Sequence, residues 1–360
     1  MSTPPFMTSE QSRHRRAMAA RRRRARRWRM AAGALVVAVA AAVLAIGLGD
    51  TSKGEHRAVS AGLPRPDRPP APRLSPAGLP LGRPPLVLVG LGHPRQDAVH
   101  LVFHEPPRAG ILFNLTSGRV LWQRNAALRV PIASLTKMMT ALLTVESRPP
   151  QTPVLVTRQA VSEGGSKVGV LPLGHHVRLE SLLYGLLLPS GNDAAVALAQ
   201  NVAGEISRFV ALMNQQAAQL GLGCTRYSSP SGYYDAGNFS CAGDLAVLAH
   251  VDLEQPRIAR VVHTYTADLP FPIKGGKLYL YNNNPLLIYG YPGTTGMKTG
   301  YTIAAGRCLV ATAERDGVRL GVVLLHSPAP GTQAAALLDR GFQGVYHLPA
   351  VAEQPLPPGA

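Results

Sequence analysis

The segment Ile132-Ala-Ser-Leu-Thr-Lys-Met-Met-Thr140 places a serine hydroxyl and a lysine amine three residues apart, where a helix is predicted to begin. Apolar side chains recur at helical spacing through residue 146, and Pro149-Pro150 ends the run. Positions three apart on a helix share a face, so the amine of Lys137 can reach the hydroxyl of Ser134 without long-range assembly. The segment therefore predicts an activated serine at the start of a helix.

Two more short motifs follow in chain order. Ser190-Gly-Asn192 lies after Pro189, between predicted helices over residues 179–188 and 194–203, and Lys298-Thr-Gly300 lies on a strand predicted over residues 297–301. A single match of this kind is expected by chance about once in a chain of this length. All three together, in this order, indicate one site built around a serine nucleophile.

The residue types suggest how such a site would work. A serine hydroxyl is a weak nucleophile until a base removes its proton, and Lys137 can be that base because burial and the charge of Lys298 favour the neutral amine. Ser190 can relay a proton to a leaving amine, while Asn192 can orient Lys137 and hold the substrate backbone. The alternative is that Ser134 merely begins a helix and the other motifs are ordinary loop and strand residues.

The third motif predicts a binding strand. Lys298 and Thr299 offer a cation and a hydroxyl to a terminal carboxylate, and Gly300 permits close approach of a substrate. Tyr301 and Thr302 continue the same strand as expected substrate-binding residues. The backbone N–H groups of Ser134 and Tyr301 are the expected oxyanion donors, each typically worth about 3 kcal/mol of transition-state stabilisation.

The periodicity of the rest of the chain predicts a mixed α+β fold. A hairpin is expected over residues 110–115 and 119–123, and strands over 307–313 and 318–326 precede a closing helix over 331–342. Between them lie further predicted helices over residues 207–220 and 242–251. Asn192 or Asp193, and Ser240, are expected to cap helices. Strands at both ends with helices between them predict a mostly antiparallel sheet flanked by helices.

The N-terminal region predicts a membrane segment. Residues 1–30 hold ten arginines and one acid, and residues 30–49 carry no charge and could span about 30 Å as a helix. By the positive-inside rule, residues 1–29 form a cytoplasmic tail and residues 30–49 a single-pass anchor in the cytoplasmic membrane, with the catalytic part outside. The alternative is secretion after cleavage of a signal peptide near Val59-Ser60-Ala61; a nucleic-acid-binding arm is disfavoured.

Composition indicates how the rest of the chain is divided into segments. Nine prolines fall within residues 64–85, so residues 50–97 are expected to be a disordered spacer, residues 98–348 the catalytic domain and residues 349–360 a disordered tail. Cys224 and Cys241 are 17 residues apart and could form a disulfide, whereas Cys308 lies in an apolar run; three free thiols remain the alternative. His175-His176 lacks metal-site spacing, so neither a metal nor another cofactor is expected.

The three motifs are those of penicillin-binding proteins and class A β-lactamases. Over about residues 98–345 the chain resembles the D-alanyl-D-alanine carboxypeptidases of the S11 serine peptidase family. The likeness includes LLPSGNDAA at 187–195, GTTGMKTGYT at 293–302 and AGRCLVATA at 305–313. The resemblance implies a β-lactamase/DD-peptidase-like fold with an inserted all-helical subdomain. It also implies an acyl-enzyme on Ser134, removal of the terminal D-alanine from peptidoglycan stem pentapeptides, and covalent inhibition by β-lactams.

Some residues depart from the family pattern, and two other functions stay open. Asn114 stands where an Asp is frequent, and Ser229-Pro-Ser231-Gly232 replaces a common Asn-Pro-His-Gly, so these positions receive no role. A β-lactamase would need a further base, yet no Glu occurs between Glu205 and Glu254. A non-catalytic penicillin sensor is disfavoured by the short cytoplasmic tail. The chain is also expected to lack the C-terminal β-rich domain of many relatives.

Overall fold

A five-stranded antiparallel sheet, in the order β2-β1-β11-β10-β9, organises the chain. A computed structural model describes residues 86–234 and 236–350. The strands are β1 (Ala109–Asn114), β2 (Val120–Arg124), β3 (Val130–Pro131), β4 (Pro153–Leu155), β5 (His176–Arg178), β6 (Phe239–Ser240), β7 (Thr266–Pro270), β8 (Lys277–Tyr281), β9 (Thr294–Thr302), β10 (Gly306–Arg315) and β11 (Val318–Leu325).

Helices cover both faces of this sheet. They are α1 (Lys137–Ser147), α2 (Arg158–Ser162), α3 (Leu179–Leu187), α4 (Asn192–Ala203), α5 (Ile206–Gln219), α6 (Ala242–Leu253), α7 (Pro256–His263), α8 (Pro285–Ile288) and α9 (Pro330–Asp339). A 3₁₀ turn, Ala133–Thr136, leads into α1, and a π-helical turn, Arg340–Val345, follows α9.

The alternation of side chains along the strands produces two cores. In β1, Ile111 and Phe113 face the core that contains most of the helices, whereas Leu112 faces the smaller core that contains α9. Successive side chains of a strand point to opposite faces, and each face of β1 is covered by one of the two cores. Every residue of β1 is therefore buried. The predicted mixed α+β fold with a mostly antiparallel sheet is confirmed.

The insertion between β2 and β9 is mainly, but not wholly, helical. It contains α1 to α8 together with three two-stranded pairs, β3–β6, β4–β5 and β7–β8. The expectation of an all-helical subdomain therefore needs correction. These strands are two to five residues long, which is too short for a two-residue period to stand out against the surrounding helices.

Two predicted helix caps are wrong. Helix α4 begins at Asn192 with Gly191 as its cap, so Asn192 and Asp193 both lie inside the first turn. The cap of α6 is Cys241, and no side chain caps that helix. The hydroxyl of Ser240 instead pairs with that of Thr225 at 2.8 Å. In both cases contacts with distant residues replaced the local hydrogen bond that the sequence suggested.

The folded part begins earlier than predicted. The backbone of Val89 pairs with the β1–β2 hairpin through its N–H, which donates to Gly118 O, and its carbonyl, which accepts from Val120 N. The carboxylate of Asp97 accepts from Gln123 N at 2.8 Å. Residues 86–97 therefore belong to the folded unit, and the expected spacer boundary at residue 97 is too late.

The predicted cytoplasmic tail, membrane anchor and most of the predicted spacer, residues 1–85, lie outside the described residues, as do residues 351–360. Among residues 86–234 and 236–350, no helix has the length and apolar character needed to cross a membrane. Cys224 and Cys241 form a disulfide with a Cα–Cα distance of 5.6 Å, and Cys308 is buried on β10.

Candidate active site

The serine of the first motif lies in a tightly held turn. Ala133, just before Ser134, has a φ of 48°, a left-handed conformation that is costly for a residue with a side chain. Thr136 Oγ1 donates to Ala133 O at 2.8 Å, and Asn238 Nδ2 donates to Thr136 Oγ1 at 2.7 Å. Buried hydrogen bonds thus hold the strained backbone that orients Ser134.

Lys137 connects three parts of the chain. Its amine is fully buried, and Nζ lies 2.8 Å from Ser134 Oγ, 2.7 Å from Asn192 Oδ1 and 2.8 Å from the carbonyl oxygen of Ser231. The first two motifs therefore meet at one amine. The structure brings Ser134, Lys137 and Asn192 together as the sequence predicts.

These contacts are compatible with the form of the amine that acts as a base. Asn192 Oδ1 and Ser231 O can only accept, so each needs an N–H of Lys137. A neutral amine has two N–H groups, which leaves its lone pair for the hydroxyl of Ser134. Burial and the nearby charge of Lys298 hold the Lys137 pKa well below its usual value, against the opposing charges of Asp193 and Glu163.

The loop between α2 and β5 orients Asn192. Its Nδ2 donates to Gly164 O at 2.6 Å, and its backbone N–H donates to Ser166 O at 2.7 Å. The neighbouring carboxylate of Asp193 accepts from Val168 N at 2.9 Å and from Gly169 N at 3.0 Å. Because both groups of the Asn192 amide have fixed partners, the oxygen must point at Lys137.

Ser190 has an unusual environment. Its φ is 67°, and its buried Oγ has no hydrogen-bond partner within the described part of the chain. Leaving such a group unsatisfied costs about 1–3 kcal/mol. Strained backbone and an unmet hydroxyl are typical of a functional position, where a reactant supplies the missing partner.

Strand β9 brings the third motif beside the nucleophile. A Cβ at Gly300 would lie 2.9 Å from Ile132 O and 3.1 Å from Ser134 N, so only glycine lets β9 pass this close. Lys298 is buried, its Nζ donates to Thr299 O at 2.9 Å, and burial lowers its pKa to about 7. All three motifs thus converge on one turn.

The remaining residues of β9 differ in their surroundings. The side chain of Tyr301 is 67% exposed, and Thr302 Oγ1 accepts from Ala305 N at 3.0 Å in the turn to β10. β9 is an edge strand of the sheet, and an edge strand directs alternate N–H groups away from its partner. The roles of Ser134 N and Tyr301 N as oxyanion donors remain predictions.

Sequence reasoning missed several residues of the site. The carbonyl of Ser231 binds Lys137, although the Ser229 to Gly232 turn received no role; its departure from the family pattern was the only signal. Glu163 is half-buried: burial raises its pKa, while a hydrogen bond with Ser231 and the charge of Lys137 oppose that rise. Backbone carbonyls such as that of Gly164 carry no sequence signal.

Other residues singled out from the sequence have structural roles. Asn114 Oδ1 accepts from Thr116 N and Ser117 N and so closes the β1–β2 turn. Asn284 caps α8, and its side chain accepts from Leu286 N. His175 and His176 are exposed. None of these contacts links them to Ser134.

The chain is similar in sequence to proteins of a known family. The family model for D-alanyl-D-alanine carboxypeptidases, peptidase family S11, matches residues 106–329. The chain is 34% identical over 243 residues to D-alanyl-D-alanine carboxypeptidase DacF of Bacillus subtilis, covering 65% of this chain and 62% of that protein. It is 36% identical to D-alanyl-D-alanine carboxypeptidase DacB2 of Mycobacterium tuberculosis, covering 66% and 82%.

A solved structure is similar as well. The Streptomyces K15 DD-transpeptidase superposes with a TM-score of 0.63 at 30% sequence identity, and the match covers 68% of this chain and 99% of that structure. The chain thus spans about 62% of the length of DacF but nearly all of the K15 structure.

Proposed function

We propose, from the premise that the chain belongs to the S11 family of D-alanyl-D-alanine carboxypeptidases, that it is a serine-type carboxypeptidase. Its substrate would be the peptidoglycan stem pentapeptide, from which it removes the terminal D-alanine through an acyl-enzyme on Ser134. The observation that carries this proposal is the 2.8 Å contact between Lys137 Nζ and Ser134 Oγ. That distance is within reach for direct proton transfer.

In the acylation step, Lys137 takes the proton of Ser134, and Oγ attacks the carbonyl carbon of the penultimate D-alanine. The N–H groups of Ser134 and Tyr301 stabilise the oxyanion. The C–N bond then breaks, and the proton reaches the leaving amine of the terminal D-alanine through Lys137 and Ser190. Water next attacks the ester, which releases the shortened peptide and restores the Ser134 hydroxyl.

Substrate recognition would depend on the free carboxylate of the terminal D-alanine. The ammonium of Lys298 and the hydroxyl of Thr299 supply charge and a hydrogen bond on β9, and Gly300 lets the peptide lie close to the strand. Asn192 holds the substrate backbone on the opposite side. An endopeptidase substrate without a free carboxylate would lose the contact with Lys298.

A β-lactam would react with the same serine. Opening of its strained amide leaves the acyl group and the former leaving amine in one molecule, so the amine does not depart and the ester persists. The β-lactamase alternative has less support, because no Glu occurs between Glu205 and Glu254, in the stretch after the second motif where the further base would be expected. Slow release of the penicilloyl group is the corresponding expectation.

Localisation is a further proposal. An anchor over residues 30–49 would hold the catalytic part outside the cytoplasmic membrane, where peptidoglycan is found; secretion after signal cleavage is the alternative. The disulfide between Cys224 and Cys241 is consistent with an oxidising compartment in either case.

The test uses the full-length protein in detergent with a synthetic stem pentapeptide. We expect mass spectrometry to detect loss of one alanine, and a fluorescent penicillin to label the protein. Ser134→Ala should abolish both, since it removes the hydroxyl on which the ester is proposed to form, whereas Ser162→Ala, a change at an exposed serine, should retain both. Undiminished alanine release by Ser134→Ala would exclude the proposed acyl-enzyme. A product that gains an added amine would instead indicate transpeptidation.

A further inference from the structure

Tyr233 directly follows a turn that touches the nucleophile. The carbonyl of Ser231 accepts from Lys137 Nζ at 2.8 Å. At Gly232, with a φ of 71°, a side chain would overlap the carbonyl of Ala133. The backbone just before Tyr233 therefore contacts the turn that carries Ser134.

The ring of Tyr233 also borders Asn192. It covers Gly164 and Gly165, where a Cβ would lie 2.8 Å and 2.6 Å from ring atoms. The same Cβ position at Gly165 is 2.7 Å from Asn192 Nδ2. One small glycine thus separates the tyrosine ring from the amide that is proposed to hold the substrate.

Tyr234 extends this surface. The two rings pack edge to face, with centroids 5.0 Å apart and an interplanar angle of 69°. Tyr233 is 41% exposed and Tyr234 is 59% exposed, so much of both rings faces solvent beside the site. We refer to Tyr233 and Tyr234 together as the tyrosine wall. Exposed aromatic surface next to fixed polar groups is typical of a ligand-binding site.

The direction of the bound substrate indicates what this wall would contact. The terminal carboxylate is assigned to Lys298 and Thr299 on β9, and the attacked carbonyl lies at Ser134. The part of the substrate on the acyl side must then extend away from the carboxylate, past Asn192. That path leads toward the tyrosine wall.

We propose that the tyrosine wall is a specificity-determining subsite that binds an apolar group on the acyl side of the bond attacked by Ser134. The inference rests on the proposed function. In a stem peptide this group is the aliphatic part of the residue that precedes the two D-alanines. In a penicillin it is the acyl side chain on the bicyclic nucleus. Both can pack flat against an aromatic ring.

Two penicillins that differ only in this group test the proposal in the full-length protein. Benzylpenicillin carries a phenylacetyl side chain, and 6-aminopenicillanic acid has the same nucleus without it. We expect Tyr233→Ala to lower the acylation rate constant for benzylpenicillin by about two- to tenfold, the usual effect of one aromatic contact. The acylation rate constant for 6-aminopenicillanic acid should be unchanged. Tyr233→Phe, which keeps the ring, should behave like the wild type.

Tyr279→Ala is the matched control, because Tyr279 is a 61% exposed tyrosine on β8, a strand that carries none of the three motifs. An equal fall with both penicillins in Tyr233→Ala, or no fall with either, would overturn the proposal. If the wild type reacts with neither compound, the proposed function itself fails. Should Tyr233→Ala lose its cooperative thermal transition, Tyr234→Ala provides the same comparison at the more exposed ring.

Discussion

At the scale of single residues, the charge of Lys298 should control the pH dependence of the reaction. Burial lowers the pKa of Lys298 to about 7, so its ammonium, and with it the attraction for a carboxylate, is lost as the pH rises through that value. The loss of this charge also removes one cause of the lowered Lys137 pKa. Rising pH itself favours the neutral amine of Lys137, so the loss of the attraction for the carboxylate is the effect that reduces activity on the alkaline side.

We therefore expect kcat/KM for D-alanine release to fall as the pH rises above about 7, and Lys298→Arg to move this fall to higher pH. A guanidinium keeps its proton throughout this range, so its attraction for the carboxylate persists. The measurement is kcat/KM from about pH 5 to about pH 10. If kcat/KM falls with rising pH in the same way for the wild type and Lys298→Arg, Lys298 does not have this role.

At the scale of structural elements, the turn at Ser229 to Gly232 and the 3₁₀ turn Ala133–Thr136 must fit closely together. A Cβ on Gly232 would overlap Ala133 O and lie 2.5 Å from Thr136 Oγ1. Gly232→Ala should push the turns apart and move the Ser231 carbonyl away from Lys137. We expect acylation by benzylpenicillin to slow by on the order of 100-fold, because small displacements of catalytic groups have effects of this size.

Gly237→Ala separates this effect from backbone strain. Gly237 has a φ of 75°, close to that of Gly232, yet its added Cβ would approach no atom nearer than 3.5 Å. Both variants should lose about 1 kcal/mol of stability from the left-handed backbone. Thermal unfolding measures that loss. Equal losses of acylation rate in the two variants would show that strain, not contact between the turns, is responsible.

At the scale of the whole molecule, one half-buried and one buried carboxyl make stability depend on pH. Glu146 lies on α1 and Asp252 on α6, and Glu146 Oε1 and both Asp252 oxygens have no hydrogen-bond partner among the described residues. Burial raises the Glu146 pKa to about 7. Burial and then the charge of Glu146 raise the Asp252 pKa well above its usual value. The folded protein therefore keeps protons that the unfolded chain releases.

A carboxyl whose pKa is raised on folding stabilises the folded state fully when the pH is below its pKa in the unfolded chain. This contribution is lost as the pH rises from the pKa of the unfolded state through the pKa of the folded state. The free energy of unfolding should thus decrease between about pH 5 and about pH 8. Glu146→Gln should flatten this dependence and stabilise the protein at the higher pH by on the order of 2 kcal/mol, a value reduced for partial exposure. Urea unfolding at both pH values provides the measurement.

Glu105→Gln, a change at an exposed carboxyl, is the control for the loss of one negative charge. It should leave the pH dependence of unfolding as it is in the wild type. If Glu146→Gln and the wild type lose stability in parallel as the pH rises, Glu146 does not hold a proton in the folded state.

Elements with strong local signals were predictable. Helix α1 follows from its apolar period and from Pro149-Pro150, and β10 and β11 follow from apolar runs around the Asp316-Gly317 turn. Features that depend on distant partners were not. Ser240 bonds to Thr225 instead of capping α6. Val89 pairs with the β1–β2 hairpin, but no pattern in the proline-rich sequence before it predicts this pairing.

The sequence by itself determined that Ser134 and Lys137 are neighbours, because one helical turn separates positions three apart. Only the tertiary structure decided what the amine does there. Its two N–H groups are taken by Asn192, 55 residues away, and by the Ser231 carbonyl, 94 residues away. With both acceptors in place, the neutral amine can turn its lone pair to the serine hydroxyl. No local pattern encodes a backbone carbonyl brought from so far along the chain.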